Sequence, residues 1–185
     1  MPKDDRAATG QPRVPPLAPS ERDAATDELL TMLGNLADMN VFLTLVRHPR
    51  VFKRLVPFGT VMLHGIIPPR DRELMILRTA HRCGCAYEWS HHEHIAVERG
   101  LDAAEIAAVR RGPEEGSWSA FDAALLRAVD ELHDDQRIAD ATWQTLSERY
   151  DQRQLIEVPM LIGHYHLMAF TLNSLGVPLE AEYVR

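Results

Sequence analysis

The chain has 185 residues, 45% hydrophobic and 25% charged, with a formal net charge of −7 at pH 7, which suits one soluble globular domain with a sizeable core. The negative balance, without a basic cluster, excludes nucleic acid and an anionic membrane as non-specific partners. Two cysteines one residue apart do not make a secreted disulfide framework, the N-terminus lacks the apolar core of a signal peptide, and no apolar run approaches about 18 residues, so a reducing, cytoplasmic compartment is expected.

Residues 1–19 carry five prolines and no apolar period. They read as a flexible or extended arm unless a neighbour holds them. Residues 20–185 read as a single helical domain. Ser20 caps a first helix whose apolar band is Leu29, Leu30, Met32, Leu33 and Leu36. Asn40 caps a second, which Pro49 ends. Residues 50–64 make a third, kinked or restarted at Pro57. Pro69 suits the first turn of a helix over 70–82, which packs through Leu74, Ile76, Leu77 and Ala80. Gly84 and the small Ala86 predict a bend before a helix over 86–99, closed by Gly100.

Asp102 and Glu105 form a capping box ahead of the next helix. Residues 112–117 read as a turn, and Ser119 then opens a helix buried through Phe121, Leu125, Ala128, Val129 and Leu132. Asp140 starts another. Asp151 and Gln154 give a box-like start to a long apolar helix, kinked at Pro159 and closed by Gly176. No segment alternates with a period of two, so the expected fold is all-α, a helical bundle.

The chemistry concentrates between Arg70 and Gly100. On an ideal helix His81, Cys85, Glu88 and His92 stand at offsets of 0, 4, 7 and 11, within about 60° of one another. A stripe that should read Leu or Ala reads His-Cys-Glu-His. Facing inward, it would bring titratable groups into one partly desolvated place, where pKa values move. A break at Gly84 would take His81 off the stripe and leave the other three together. Glu73 alone reads as a first-turn carboxylate favoured by the helix dipole. Glu88 and His92 alone read as surface support at i, i+4, but Tyr87, Trp89 and Ile95 make much of that helix apolar. A glutamate among aromatics holds its proton to higher pH.

A metal centre is weighed and set aside. Glu88-x-x-His91 has the spacing of carboxylate-bridged di-iron bundles, which need a second such motif. Neither Glu131-Leu132-His133 nor His164-Tyr165-His166 supplies one. His91, His92 and His94 could hold an adventitious ion. No metal or cofactor is expected.

Glu73-x11-Cys85-x2-Glu88-x3-His92-x3-Ala96-x3-Gly100 resembles the core of the carboxymuconolactone decarboxylase and alkyl hydroperoxidase D superfamily. Its redox members carry Glu-x11-Cys-x2-Cys-x3-His-x3-Ala-x3-Gly. Glu88 stands where the second cysteine would be. Tyr87-Glu88-Trp89 and the C-terminal GHYHLMAFTLNSLGVPLE are similar to the non-redox branch. The resemblance covers about residues 40–180.

It implies an all-helical fold with a two-helix active-site core, and a homo-oligomer, a trimer or hexamer. It implies catalytic roles for Glu73, Cys85, Glu88 and His92, with Tyr87, Trp89 and His81 lining the substrate. The expected activity is cofactor-free acid/base chemistry, of lyase or decarboxylase type, on a small organic acid or lactone. In it Glu73 and Glu88 exchange protons, His92 orients and polarises, and Cys85 tunes the site. The alternatives are a thiol peroxidase run by Cys85, with only Cys83 left to resolve it, and a non-catalytic oligomeric binding protein. Of His164 and Tyr165 on the last helix, one is expected to pack and the other to face solvent or a subunit contact, with either of them, and Asn173, available as an opposite wall.

Overall fold

The computed structural model describes residues 11–115 and 118–184. The first ten residues of the expected arm, and residues 116 and 117 of the expected turn, lie outside them. Among the described residues there are nine α-helices and no strand. The described residues fall into two compact units, one of residues 11–61 and 171–184, the other within residues 62–170.

In the first unit, α1 is Ala24–Thr31, α2 is Asn40–Leu45 and α3, Pro49–Leu63, begins here. Its core is Leu17, Leu29, Leu30, Leu43, Val46 and Phe52. The end of the arm is held: the Leu17 N–H donates to the Leu43 carbonyl at 3.0 Å, that of Arg13 to Leu175 at 2.8 Å, and Arg47 Nε to the Pro15 carbonyl at 2.8 Å. Two expected caps are corrected. Ser20 lies in a 3₁₀ turn, Pro19–Glu21, and Asp23 caps α1 instead by accepting from the Thr26 N–H at 2.8 Å. Asn40 is the first residue inside α2. Its backbone N–H donates to Glu180 at 2.7 Å and its side-chain NH₂ to the Pro178 carbonyl at 3.0 Å, while Met39 takes the N-cap position. Pro49 begins α3 rather than ending α2, which stops at Leu45; proline is pre-set for a first helical turn.

In the second unit, α4 is Pro69–Arg82, α5 Ala86–Glu98, α6 Ala103–Arg111, α7 Ala120–Asp135, α8 Asp140–Ser147 and α9 Gln152–Leu175, whose last residues belong to the first unit. Helix α4 is the axis, packing against α5, α6 and α7. Every side chain from Asp71 to Ala80 is buried, so this helix cannot be polar on any face without partners. Arg78 has them: its guanidinium donates twice to Asp130 at 2.8 Å and to the Val109 and Arg110 carbonyls at 2.8 and 3.2 Å. Asp71 accepts from the Tyr150 hydroxyl at 2.7 Å. One cation thus fastens α4 to α6 and α7.

The expected caps at Asp102, Ser119 and Asp151 form, each accepting a backbone N–H two or three residues on. Helices α3 and α9 run through Pro57 and Pro159 without a restart. Helix α9 is also long and apolar enough by composition to cross a membrane, which the expectation of no such run had missed. It carries apolar residues on two faces: Leu155, Val158, Leu161, Ile162 and Ala169 are buried, while Ile156, Met160, Leu167 and Phe170 are exposed.

Candidate active site

Gly84, at φ +59°, ends α4 in the left-handed conformation that glycine adopts freely. The turn makes Cys85 the N-cap of α5. The stripe expected on one helix is therefore split between two. His81 stays on α4, where it meets the Trp89 ring edge-on at 6.3 Å, and the Arg110 guanidinium covers that indole at 3.7 Å. Burial and the neighbouring Arg78, Arg110 and Arg82 lower the His81 pKa. Tyr87 stacks on His91 at 4.3 Å. These are the immediate ring contacts of the three residues expected to line the substrate.

Glu73 and His92 meet. Packing of α5 on α4 brings His92 Nδ1 to 2.7 Å from Glu73 Oε2, with the Glu73 side chain wholly buried. Read alone as a first-turn carboxylate, Glu73 instead follows the first turn, where Asp71 stands, and is buried against His92. With Glu73 ionised, Nδ1 carries the proton and donates, which fixes the imidazole and leaves Nε2 as its working atom. Arg72 Nε, also buried, stands 3.7 Å from Glu73 Oε1. The Tyr165 ring meets His92 edge-on at 5.0 Å.

Glu88 is the exceptional group. It is buried, and neither carboxylate oxygen has a hydrogen-bond partner. Burial drives its pKa well above the ordinary carboxyl range, because an ion cannot be left there unsolvated and unpaired. Glu88 acts electrostatically on both Cys85 and Tyr165, and Glu73 acts on Tyr165 as well. Glu73, His92 and Tyr165 are thus in contact, and Cys85 and Glu88 lie within electrostatic reach of this group. Burial and then the two glutamates push the Tyr165 hydroxyl well up, so it is neutral and able to donate.

Cys85 departs from expectation. A helix N-terminus should lower a thiol pKa. Here burial, followed by the Glu88 charge, pushes it up and outweighs the Tyr87 and Glu88 N–H groups directed at the sulfur. Tyr165 was under-read in the sequence. His164 and Tyr165 are both buried, with their rings edge-on at 5.3 Å, so neither faces solvent. A Tyr between two histidines on an apolar helix was the available signal.

Two open grooves in the first unit are lined by residues of α1 and α3 such as Lys53 and Arg54; none of the five cluster residues lines them.

Residues 49–131 match the Carboxymuconolactone decarboxylase family. No curated protein sequence matches the chain. Among solved structures, the chain is similar to the alkylhydroperoxidase AhpD core of an uncharacterized peroxidase-related protein from Ralstonia eutropha, with a TM-score of 0.79, 18% identity, and 95% of this chain and 96% of that one covered. It is also similar to a protein of unknown function from Agrobacterium tumefaciens, with a TM-score of 0.68, 18% identity, and 74% and 95% covered. A third is a debrominase, solved in complex with 2,3,4-tribromopyrrole, with a TM-score of 0.74, 17% identity, and 92% of both chains covered. At these identities the likeness establishes the all-helical AhpD-like fold. The family match runs from the start of α3 into α7 and contains Glu73, Cys85, Glu88 and His92. Residues 49–131 are thus similar to the carboxymuconolactone decarboxylase family, and the chain has the AhpD-like fold.

Proposed function

We propose that this is a cofactor-free acid/base enzyme of the decarboxylase type, acting on a small organic acid or lactone. The observation that carries the reading is Glu88, a buried carboxyl with no hydrogen-bond partner and a raised pKa. Such a group is costly in a scaffold and suited to delivering a proton at neutral pH.

As carbon dioxide leaves, the electron pair of the broken C–C bond remains on a carbanion conjugated with a carbonyl. Glu88 protonates that carbon, becomes a carboxylate and takes a new proton from solvent. Arg72 supplies positive charge beside the developing anion. The Glu73-held imidazole of His92 directs Nε2, and the Tyr165 hydroxyl donates to the substrate carbonyl oxygen. The test is carbon dioxide release across a panel of small β-keto acids and carboxylated lactones. Glu88→Gln should lose a hundredfold or more, within the range of about 10²–10⁴ typical of a positioned acid. Unimpaired turnover in that variant rules Glu88 out as the donor.

A second reading, thiol peroxidase or reductase chemistry at Cys85, is favoured by the two backbone N–H groups directed at its sulfur. Against it stand the burial of Cys85 and a carboxylate at position 88 in place of a resolving thiol. Mass spectrometry after peroxide treatment decides: a Cys85 sulfenic acid or a Cys83–Cys85 bond supports the thiol reading, and inert thiols remove it.

The protein is further read as a homo-oligomer. The exposed Ile156, Met160, Leu167 and Phe170 on α9 supply an apolar stripe that a second copy would cover. The third reading, a non-catalytic binding protein, would have this stripe without turnover. Cytoplasmic placement is the compartment in which two free cysteines persist most readily.

A further inference from the structure

Cys83, His133 and His166 lie on different elements and bear no sequence relation to one another, yet they converge. Cys83 is the C-cap of α4, beside the Gly84 turn. His133 is in the last turn of α7, and His166 follows Tyr165 on α9. One ligand atom from each lies within 4.8 Å of the other two, and all three residues are half-buried. His133 Nδ1 stands 3.0 Å from His166 Nε2.

We propose that these three side chains bind a borderline divalent cation of the zinc class. On a tetrahedral zinc, with bonds of about 2.0 Å to nitrogen and 2.3 Å to sulfur, ligand atoms stand roughly 3.3–3.7 Å apart. The two nitrogens and the sulfur need only small movements to meet that. One thiolate and two imidazoles are a donor set for zinc, cobalt or copper, and a poor one for calcium or magnesium.

The orientation of His166 is already that of a ligand. Its Nδ1–H donates to the Ile162 carbonyl at 2.9 Å, which leaves the Nε2 lone pair directed at His133. A backbone carbonyl on the far nitrogen is the usual outer support of a ligating imidazole. Without metal, the His133 Nδ1–H donates to that lone pair. Binding requires His133 to move its proton to Nε2, and the Cys83 thiol to release one to solvent. Each cation bound therefore releases one proton. Three protein ligands leave a fourth position for water.

Residues adjacent on a helix point about 100° apart. Tyr165 belongs to the acid cluster and His166 to this site, so one turn of α9 carries both. The inference stands apart from the decarboxylase reading and uses none of its residues.

The test is titration of the full-length protein with Co²⁺ under anaerobic conditions, followed by optical absorption. The expected result is one equivalent bound, with the strong visible bands of four-coordinate cobalt and a near-ultraviolet sulfur-to-cobalt charge-transfer band. Cys83→Ser should abolish the charge-transfer band, and His166→Ala should weaken binding by at least about a hundredfold. His94→Ala, at an exposed histidine of α5, should change neither. Zinc should compete cobalt off and protect Cys83 from alkylation, which reads the site without any variant. No charge-transfer band in the wild type, a band that survives in Cys83→Ser, or a spectrum lost only in His94→Ala would overturn the proposal.

Discussion

His92 on α5 and Glu73 on α4 are joined by a 2.7 Å contact in which the carboxylate is wholly buried. The pair orients one imidazole and fastens two helices together. Glu73→Gln keeps the shape and removes the charge. It should cost about 1.5–3 kcal/mol in urea unfolding, the range for a hydrogen bond to a charged group. A double-mutant cycle with His92→Gln should show coupling of at least about 0.5 kcal/mol. Additive effects would show that the contact contributes nothing.

Glu88 makes stability depend on pH with a definite sign. Its folded pKa is raised above 4.5, the ordinary value, so the folded chain keeps a proton that the unfolded chain releases. Its contribution is fully present below 4.5 and is lost as pH rises toward the folded pKa, by up to about 1.4 kcal/mol per pH unit. Relative to wild type, Glu88→Gln should therefore gain stability steadily from pH 4.5 to 7. Denaturant midpoints at several pH values measure this, and parallel curves would contradict it. Turnover that uses Glu88 as an acid should hold over this range and fall only as pH rises through the raised folded pKa.

Much of this was legible in the sequence, for physical reasons. Capping boxes are local, so Asp102 with Glu105 and Asp151 with Gln154 were readable from four residues each. Glycines in the left-handed region, Gly84, Gly100 and Gly176, were readable because few other residues go there. Ser20 misled because Asp23, three residues on, is an equally good cap and takes the role, and Asn40 because a capping residue and one bonded across the chain look alike until tertiary partners are known. Spacing placed Glu88 and His92 together, since one turn separates them. It could not place Tyr165 against His92, or Cys83 beside His133 and His166, because those meetings depend on how α4, α5, α7 and α9 pack.

The exposed stripe on α9 predicts self-association. Met160→Glu introduces a charge among Ile156, Leu167 and Phe170, all exposed, and should lower the assembly mass in light scattering while leaving the helical circular dichroism unchanged. A wild-type protein that stays monomeric at the highest concentration tested would contradict the prediction.

The account rests on a protonated Glu88, and infrared difference spectroscopy reads that group directly. Subtracting the Glu88→Gln spectrum from wild type at pH 7 should leave the C=O stretch of a neutral carboxylic acid, shifted by deuteration. If the difference instead contains only carboxylate bands, Glu88 is ionised at neutrality and the proposed proton donor is wrong.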